Sequence, residues 1–335
     1  MTDVGLGQKI TAFGRLRTKQ TRDAVKDNHP LMDMLDKTKG IDYATGGRTV
    51  LDESLTGQNG TVTWVGETDQ VNLQDYPAVD SPEFNWSYLL GSVQISLAER
   101  YQNEGQGRFI DIWAKKQEAL EGSMMNVFHA GLLSNGTGNS GLQIDGLAAI
   151  VPTVPNSGTV GTIDLSDSNA AWFRTQKFDT GSDWTLGSVD SSNVKKFFDK
   201  LINRSIKDLM IQATCILAGE THFEAMSDAV GAMQVLQNQS GDAKTGFTGY
   251  LIHRGVKIFY GNGANYSGQS ALTTTRSYCL CTKPGGFNVV FHKKAEFNML
   301  EPINSRDQAA MSRLMFTMAT TRRGAHSQQC TVGFD

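Results

Sequence analysis

Apolar residues in this chain recur with two periods, and the change between them marks its parts. Over 107–133 the residues Phe109, Ile112, Trp113, Lys116, Leu120, Met124, Val127, Phe128 and Leu132 fall at i, i+3/i+4 spacing. Asp111, Lys115, Glu118 and Glu121 lie off that stripe, so the spacing predicts one long amphipathic helix, a rod of roughly 40 Å. It stops at the run Ser134-Asn135-Gly136-Thr137-Gly138. A second amphipathic helix is expected over 192–207, with Val194, Phe197, Phe198, Leu201, Ile202 and Ile206 on one side. Thr221 and Glu224 have the spacing of a capping box and would open a third. Period-2 alternation predicts strands at 61–65 and at 92–98, where Val93, Ile95 and Leu97 share a face. Further strands are expected at 210–218, 256–260, 277–282, 287–291, 295–300 and 313–322. The fold class is therefore α+β.

Composition changes this picture mainly at the N-terminal side. The chain has 335 residues, a net charge of −3, and 35 Gly beside 7 Pro, so long loops are expected and a strongly basic polyanion binder is not. Over residues 1–40 eight bases meet five acids with few apolar residues, which reads as a basic arm holding one short helix at 29–37 and needing a partner surface. Over 42–100 nine acids face two bases, with an Asn59-Gly60 turn signal. That stretch reads as a long acidic hairpin lying on something else. No apolar run reaches the ~20 residues of a membrane helix, and the first residues have no secretory apolar core, so the chain is expected to stay in the cytosol or to leave by a route other than secretion.

Candidate chemistry is thin. There is no phosphate-loop motif and no GxSxG elbow; Gly261-Asn262-Gly263 matches only the start of a dinucleotide loop and reads as a surface turn. The six histidines never form HExxH or sit beside a cysteine pair. Cys279 and Cys281 are one residue apart on a strand, too close for a zinc pair, and with Cys215 and Cys330 they read as reduced, buried thiols. No catalytic, cofactor or metal residues are assigned, and the chain is read as a non-enzyme. Trp64, Tyr76, Phe84, Trp86 and Tyr88 cluster in the acidic segment, which suits packing on a protein surface.

The order of basic arm, acidic hairpin, long helix, central α+β region and returning strands resembles tailed-bacteriophage major capsid proteins of the Hong Kong 97-like fold. Local texture carries it too: Asn85-Trp86 through Ser92-Val93-Gln94-Ile95-Ser96, then Glu99-Arg100-Tyr101-Gln102-Asn103-Glu104-Gly105, is similar to the passage from strand to spine helix. Ile144-Asp145-Gly146-Leu147, with Gly161-Thr162-Ile163-Asp164 and Ala171-Trp172-Phe173-Arg174, resembles the start of the axial domain. The resemblance implies an arm over 1–42, an extended loop over 43–90, a peripheral domain from 91–142 and 290–323, an axial domain over 143–289, and a return to it over 324–335. It implies a coat protein that self-assembles, as pentamers and hexamers, into an icosahedral virion head in the host cytoplasm. Its partners would be a scaffolding protein, a portal, a decoration or cement protein, and packaged double-stranded DNA held non-specifically. An encapsulin-like shell is the alternative, and a soluble α+β enzyme the remaining one. Candidate contacts between subunits are Trp64 and Trp86, with Arg313, Arg322, Arg323, Lys293 and Lys294 as bases to receive the acidic loop. In cross-linked members of the family a loop lysine is the nucleophile; no lysine stands between Lys39 and Lys115, so non-covalent shells are expected.

Overall fold

The computed structural model describes residues 30–55, 61–67, 70, 73, 79–102, 112–183, 187–206, 213–237, 250–261, 272–304 and 309–335. The arm before residue 30, the Asn59-Gly60 turn, residues 107–111 and 210–212, and Asn262-Gly263 lie outside them.

The described chain begins with helix α1 (Pro30–Thr38), followed by β1 (Ile41–Ala44). Leu31, Met34 and Leu35 on α1 are fully buried, and their i, i+3/i+4 spacing explains the helix. The surface that orders α1 belongs to this same chain, which corrects the expectation of an outside partner: the helix lies against strands β10 and β12, described below. β1 crosses residue 42 and joins the first sheet. Next come β2 (Thr49–Leu51), β3 (Ser54–Leu55), β4 (Val79–Asp80) and β5 (Glu83–Asn85). They form the two-rung stem of a protruding loop, β2 paired with β5 and β3 with β4. The residues at 61–65 form no strand with the described residues.

Strand β6 (Ser87–Ser96) ends where Ser96 Oγ accepts a hydrogen bond from Glu99 N, a helix cap. Leu97 and Ala98 therefore start helix α2 (Leu97–Gln102) and are not strand residues. The spine helix α3 (Ile112–Leu133) follows, about 33 Å of described helix. It lies on β6 so closely that a Cβ on Gly91 would come 2.7 Å from Leu120 Cδ1 and 2.8 Å from Met124 Sδ. Val127, assigned to the apolar stripe, is 41% exposed.

Beyond the spine come the small hairpin β7 (Thr159–Val160) and β8 (Ile163–Asp164), then β9 (Gln176–Asp179) and helix α4 (Val194–Ser205). The expected apolar side of α4 is the buried one, with Val194, Phe197, Phe198, Leu201 and Ile202 fully enclosed. β10 (Cys215–Ala218) leads into α5 (Glu220–Gln237). Thr221 lies inside α5 and its N–H donates to Thr274 O, so no capping box forms there. Gly219 takes the capping place, its carbonyl accepting from Phe223 N. A side chain could not stand there, since a Cβ would fall under 3.0 Å from the carbonyl oxygens of Thr273, Thr274 and Arg276.

The remaining strands are β11 (Tyr250–His253), β12 (Val256–Tyr260), β13 (Arg276–Leu280), β14 (Asn288–His292), β15 (Asn298–Met299), β16 (Ile303–Asn304), β17 (Ala310–Arg322) and β18 (Thr331–Phe334). The strand expected over 295–300 shrinks to β15 because Ala295 N closes a turn onto His292 O and Phe297 takes φ 43°. Two six-stranded sheets result. In the first, β17 is central: β14 and the short β15 and β16 pair with it, β6 pairs with it over ten residues, and β1 extends β14 in parallel. The second has the order β11-β12-β10-β13-β18-β9. One apolar cluster runs through both, uniting Leu31, Met34 and Leu35 with Phe128 and Leu132 of the spine, Val289 and Phe291 of the first sheet, and Leu217 and Tyr278 of the second. A second cluster lies under α4 and α5.

Candidate functional site

The protruding loop is built as an anchored stem and an uncovered tip. In the stem, Val50 stands opposite Phe84 across β2 and β5, and both are buried. Phe84 lies against Gly161 of the β7–β8 turn, while Glu83 N donates to Gly161 O at 2.9 Å. Thr49 Oγ1 donates to Glu83 Oε1 at 2.8 Å. Trp86 closes the root: its indole N–H donates to Gly47 O at 3.1 Å and its ring meets His292 edge-on at 6.2 Å. It is buried in its own chain, so the expectation that Trp86 faces a neighbour is corrected.

Along the loop above the stem the side chains have the opposite character. Trp64 is 101% exposed, Leu73 90% and Val62 82%. These three are the most exposed of the large apolar side chains described.

The basic candidates separate sharply by position. Arg323 is fully buried: it lies over the Phe173 ring and donates from Nη1 to Ile150 O. Burial pulls its pKa down to about 9, and a side chain so enclosed cannot be a docking base. Strand alternation turns Arg322 the other way, where Nη2 pairs with Asp42 Oδ2 at 2.6 Å. That pair ties β17 to the chain entering the loop. Nearby, burial holds the Asp52 carboxyl above its usual range against the opposing pull of Arg322. Arg313 is half-buried; its Nε donates to Leu300 O at 2.8 Å and Nη1 to Gln117 Oε1 at 3.3 Å. Lys293 and Lys294 are exposed and make no ion pair among the described residues. Of the residues named from sequence, Trp64, Lys293 and Lys294 thus present themselves outward; Trp86 and Arg323 do not.

Sequence reasoning singled out Tyr88 only as one of the aromatic cluster, and missed Leu90 and His222. Tyr88 and Leu90 on β6 are 62% and 61% exposed, and Tyr88 stacks on Phe316 at 6.1 Å; the alternation of Ser87–Ser96 carried that signal. His222 is fully buried between Ser277 and Asp335, with 2.8 Å from each ring nitrogen; nothing local links residues 113 positions apart. The four cysteines are buried and free, with burial raising Cys215 and Cys330 to about 12. Among the described residues no His/Cys/Asp/Glu group could hold a metal ion, and no helix is long and apolar enough to cross a membrane.

No protein-family profile and no curated protein matches the sequence. Solved structures match over essentially the whole chain. The capsid of cyanophage A-1(L) is similar at TM-score 0.64 and 12% identity, covering 98% of this chain and 99% of that one. The capsid of a native GTA particle matches at 0.62 and 10%, covering 100% and 99%. The SrpI encapsulin of Synechococcus elongatus PCC 7942 matches at 0.58 and 11%, covering 100% and 95%. With the arrangement of stem, spine helix and two sheets described above, the chain has the fold of tailed-phage major capsid proteins, the Hong Kong 97-like fold.

Proposed function

We propose that this chain is the major capsid protein of a tailed double-stranded DNA bacteriophage, assembling with copies of itself into a closed icosahedral head. The observation that carries the reading is the loop tip, where Val62, Trp64 and Leu73 stand almost wholly in water. A buried Trp alone removes about 150–250 Å² from water, worth roughly 4–6 kcal/mol, so such a tip gains most by being covered. In a chain of this fold the natural cover is another copy. The first sheet with α3 then serves as the peripheral domain, about 91–142 and 290–323, and the second sheet with α4 and α5 as the axial domain, about 143–289. Residues 1–42 are the arm, 43–90 the extended loop, and 324–335 return to the axial domain. Pentamers and hexamers form around the axial domains. A scaffolding protein, a portal and a cement protein are the expected companions. With a net charge of −3, DNA is held without tight phosphate neutralisation.

The encapsulin likeness supports a second reading, a shell around cargo protein. Electron microscopy of the expressed chain, with and without neighbouring gene products, tests both. Closed shells that fill with double-stranded DNA support the head; shells carrying protein cargo favour the encapsulin. A lone monomer or dimer overturns both. Replacing residues 56–78 by a two-residue turn that rejoins β3 to β4 should leave a folded chain and abolish shells. This cut spares Val50 and Phe84, which belong to the core.

A further inference from the structure

The run that ends helix α3, Ser134-Asn135-Gly136-Thr137, holds a reactive pair. An asparagine followed by glycine can close a succinimide ring on itself, the glycine's backbone nitrogen attacking the asparagine's side-chain amide carbon. For that the nitrogen must be unhindered and able to shed its proton. The amide oxygen must also be stabilised as it gains charge, and the released ammonia must reach water.

These conditions meet at Asn135. Thr137 Oγ1 donates to Asn135 Oδ1 at 2.8 Å, and Thr137 N donates to the same oxygen at 3.3 Å. Two donors aimed at one amide oxygen act as an oxyanion hole acts, favouring the negative charge that develops there on attack. Gly136 N is held by Ser134 Oγ, which accepts its hydrogen at 3.2 Å and is itself fixed by donating to Gly131 O at 2.8 Å. The Asp145 carboxylate stands against the same glycine, since a Cβ on Gly136 would collide with Asp145 Oδ1. Desolvation holds that carboxyl above its usual range, which makes it a stronger proton acceptor. Gly136 takes φ 75°, a conformation that suits glycine and leaves no side chain beside the attacking nitrogen. Asn135 itself is exposed, so ammonia can leave and water can enter.

We infer that Asn135 is a site of self-modification: Gly136 N bonds to Asn135 Cγ, the Cγ–Nδ2 bond breaks, and water then opens the succinimide to aspartate or isoaspartate. Water is the only co-reactant. Gly136 gives its amide proton to the Asp145 carboxylate, the departing nitrogen takes up a proton and leaves as ammonia, and one water oxygen stays in the new carboxyl group. That carboxylate stands near Asp145 and at the carbonyl end of α3, and both oppose an added negative charge. Every group involved belongs to one chain, so the modification proceeds in subunits whether or not they assemble.

The full chain is incubated in water enriched in heavy oxygen, folded in one sample and unfolded by urea in another, and the peptide spanning 135–136 is followed by mass spectrometry. Heavy oxygen should enter residue 135 faster in the folded chain, because unfolding leaves the dipeptide without Thr137 and Asp145 in place. Thr137 is exposed, so its variants should fold. Thr137→Val removes a donor to Oδ1 and should slow labelling of the folded chain about tenfold or more, while Thr137→Ser keeps the hydroxyl and the rate. Asp145→Ala should slow it as well. Labelling no faster in the folded chain than in the unfolded one, or unaffected by Thr137→Val, overturns the inference. Fresh Asn135→Asp subunits, which carry one product outright, should unfold at a lower temperature than the parent, and an equal midpoint overturns the claim that the product disturbs this turn.

Discussion

The guanidinium carbon of Arg323 sits 4.4 Å from the centroid of the Phe173 ring, and both side chains are completely buried. The charge faces a ring and one carbonyl, Ile150 O, while Nε and Nη2 find no partner among the described groups. An ion pair does not hold this arginine; packing and cation–π attraction do. Arg323→Ala leaves a cavity and should cost about 2–5 kcal/mol, whereas Arg323→Met fills much of the volume without a buried charge and should cost less. Thermal unfolding of unassembled subunits ranks the two. Met less stable than Ala would overturn the packing account.

His222 makes stability depend on mild acid. A carboxylate only accepts, so Nε2 carries the proton toward Asp335 Oδ1 and Nδ1 accepts from the Ser277 hydroxyl. Burial lowers the His222 pKa, and Asp335 opposes it only in part. The unfolded chain therefore binds the proton first. Stability should be full above the unfolded value near 6.5, fall as pH drops below it, and level off beneath the folded pKa. His326, also lowered by burial and by Lys283, adds a loss in the same direction. Unfolding midpoints between pH 5 and pH 8 should show a shallower acid slope in His222→Gln than in the parent chain. An unchanged slope would exclude His222 as a source.

Gly146 governs the passage out of the long helix α3. A Cβ there would fall under 3.0 Å from the carbonyl oxygens of Gly131, Leu132 and Ser134 at the end of α3, and backbone cannot step aside as a flexible side chain can. Gly146→Ala should cost about 1–3 kcal/mol. At Gly181 the nearest atom to an added Cβ is Asp179 Oδ1 at 3.4 Å, so Gly181→Ala should stay within about 0.5 kcal/mol of the parent. Urea unfolding midpoints compare them, and equal losses would refute the steric argument.

Charge reversal should act at Lys293 and Lys294, where exposed bases stand without an ion pair, and not at Arg323. Lys293→Glu with Lys294→Glu should slow assembly most at low salt, since each exposed pair is worth about 0.2–1 kcal/mol and is screened as ionic strength rises. Light scattering across a salt series follows this. Identical rates at every salt concentration would remove these lysines from the docking surface of the acidic loop.

Local periodicity determined the elements that bury one continuous face. The stripe of Leu120, Met124 and Phe128, the Phe197/Phe198/Leu201/Ile202 face of α4, and strands such as Val256–Tyr260 follow from side-chain spacing over a few turns or residues. The segment order was legible for the same reason, and with it the resemblance in fold. Which residue meets which surface was decided only by tertiary structure. Arg322 and Arg323 are adjacent and chemically identical, yet one pairs with Asp42 and the other is sealed over Phe173, because a strand's successive side chains point to opposite faces. Trp64 and Trp86 look alike in an acidic, turn-rich segment, but one lies beyond the stem's last rung and the other against His292 at its root. Composition made the stretch around α1 look like an arm without a home; β10 and β12, far along the chain, cover it. The partners in each case are set by register and by contacts between distant segments, and spacing along the sequence carries no information about either.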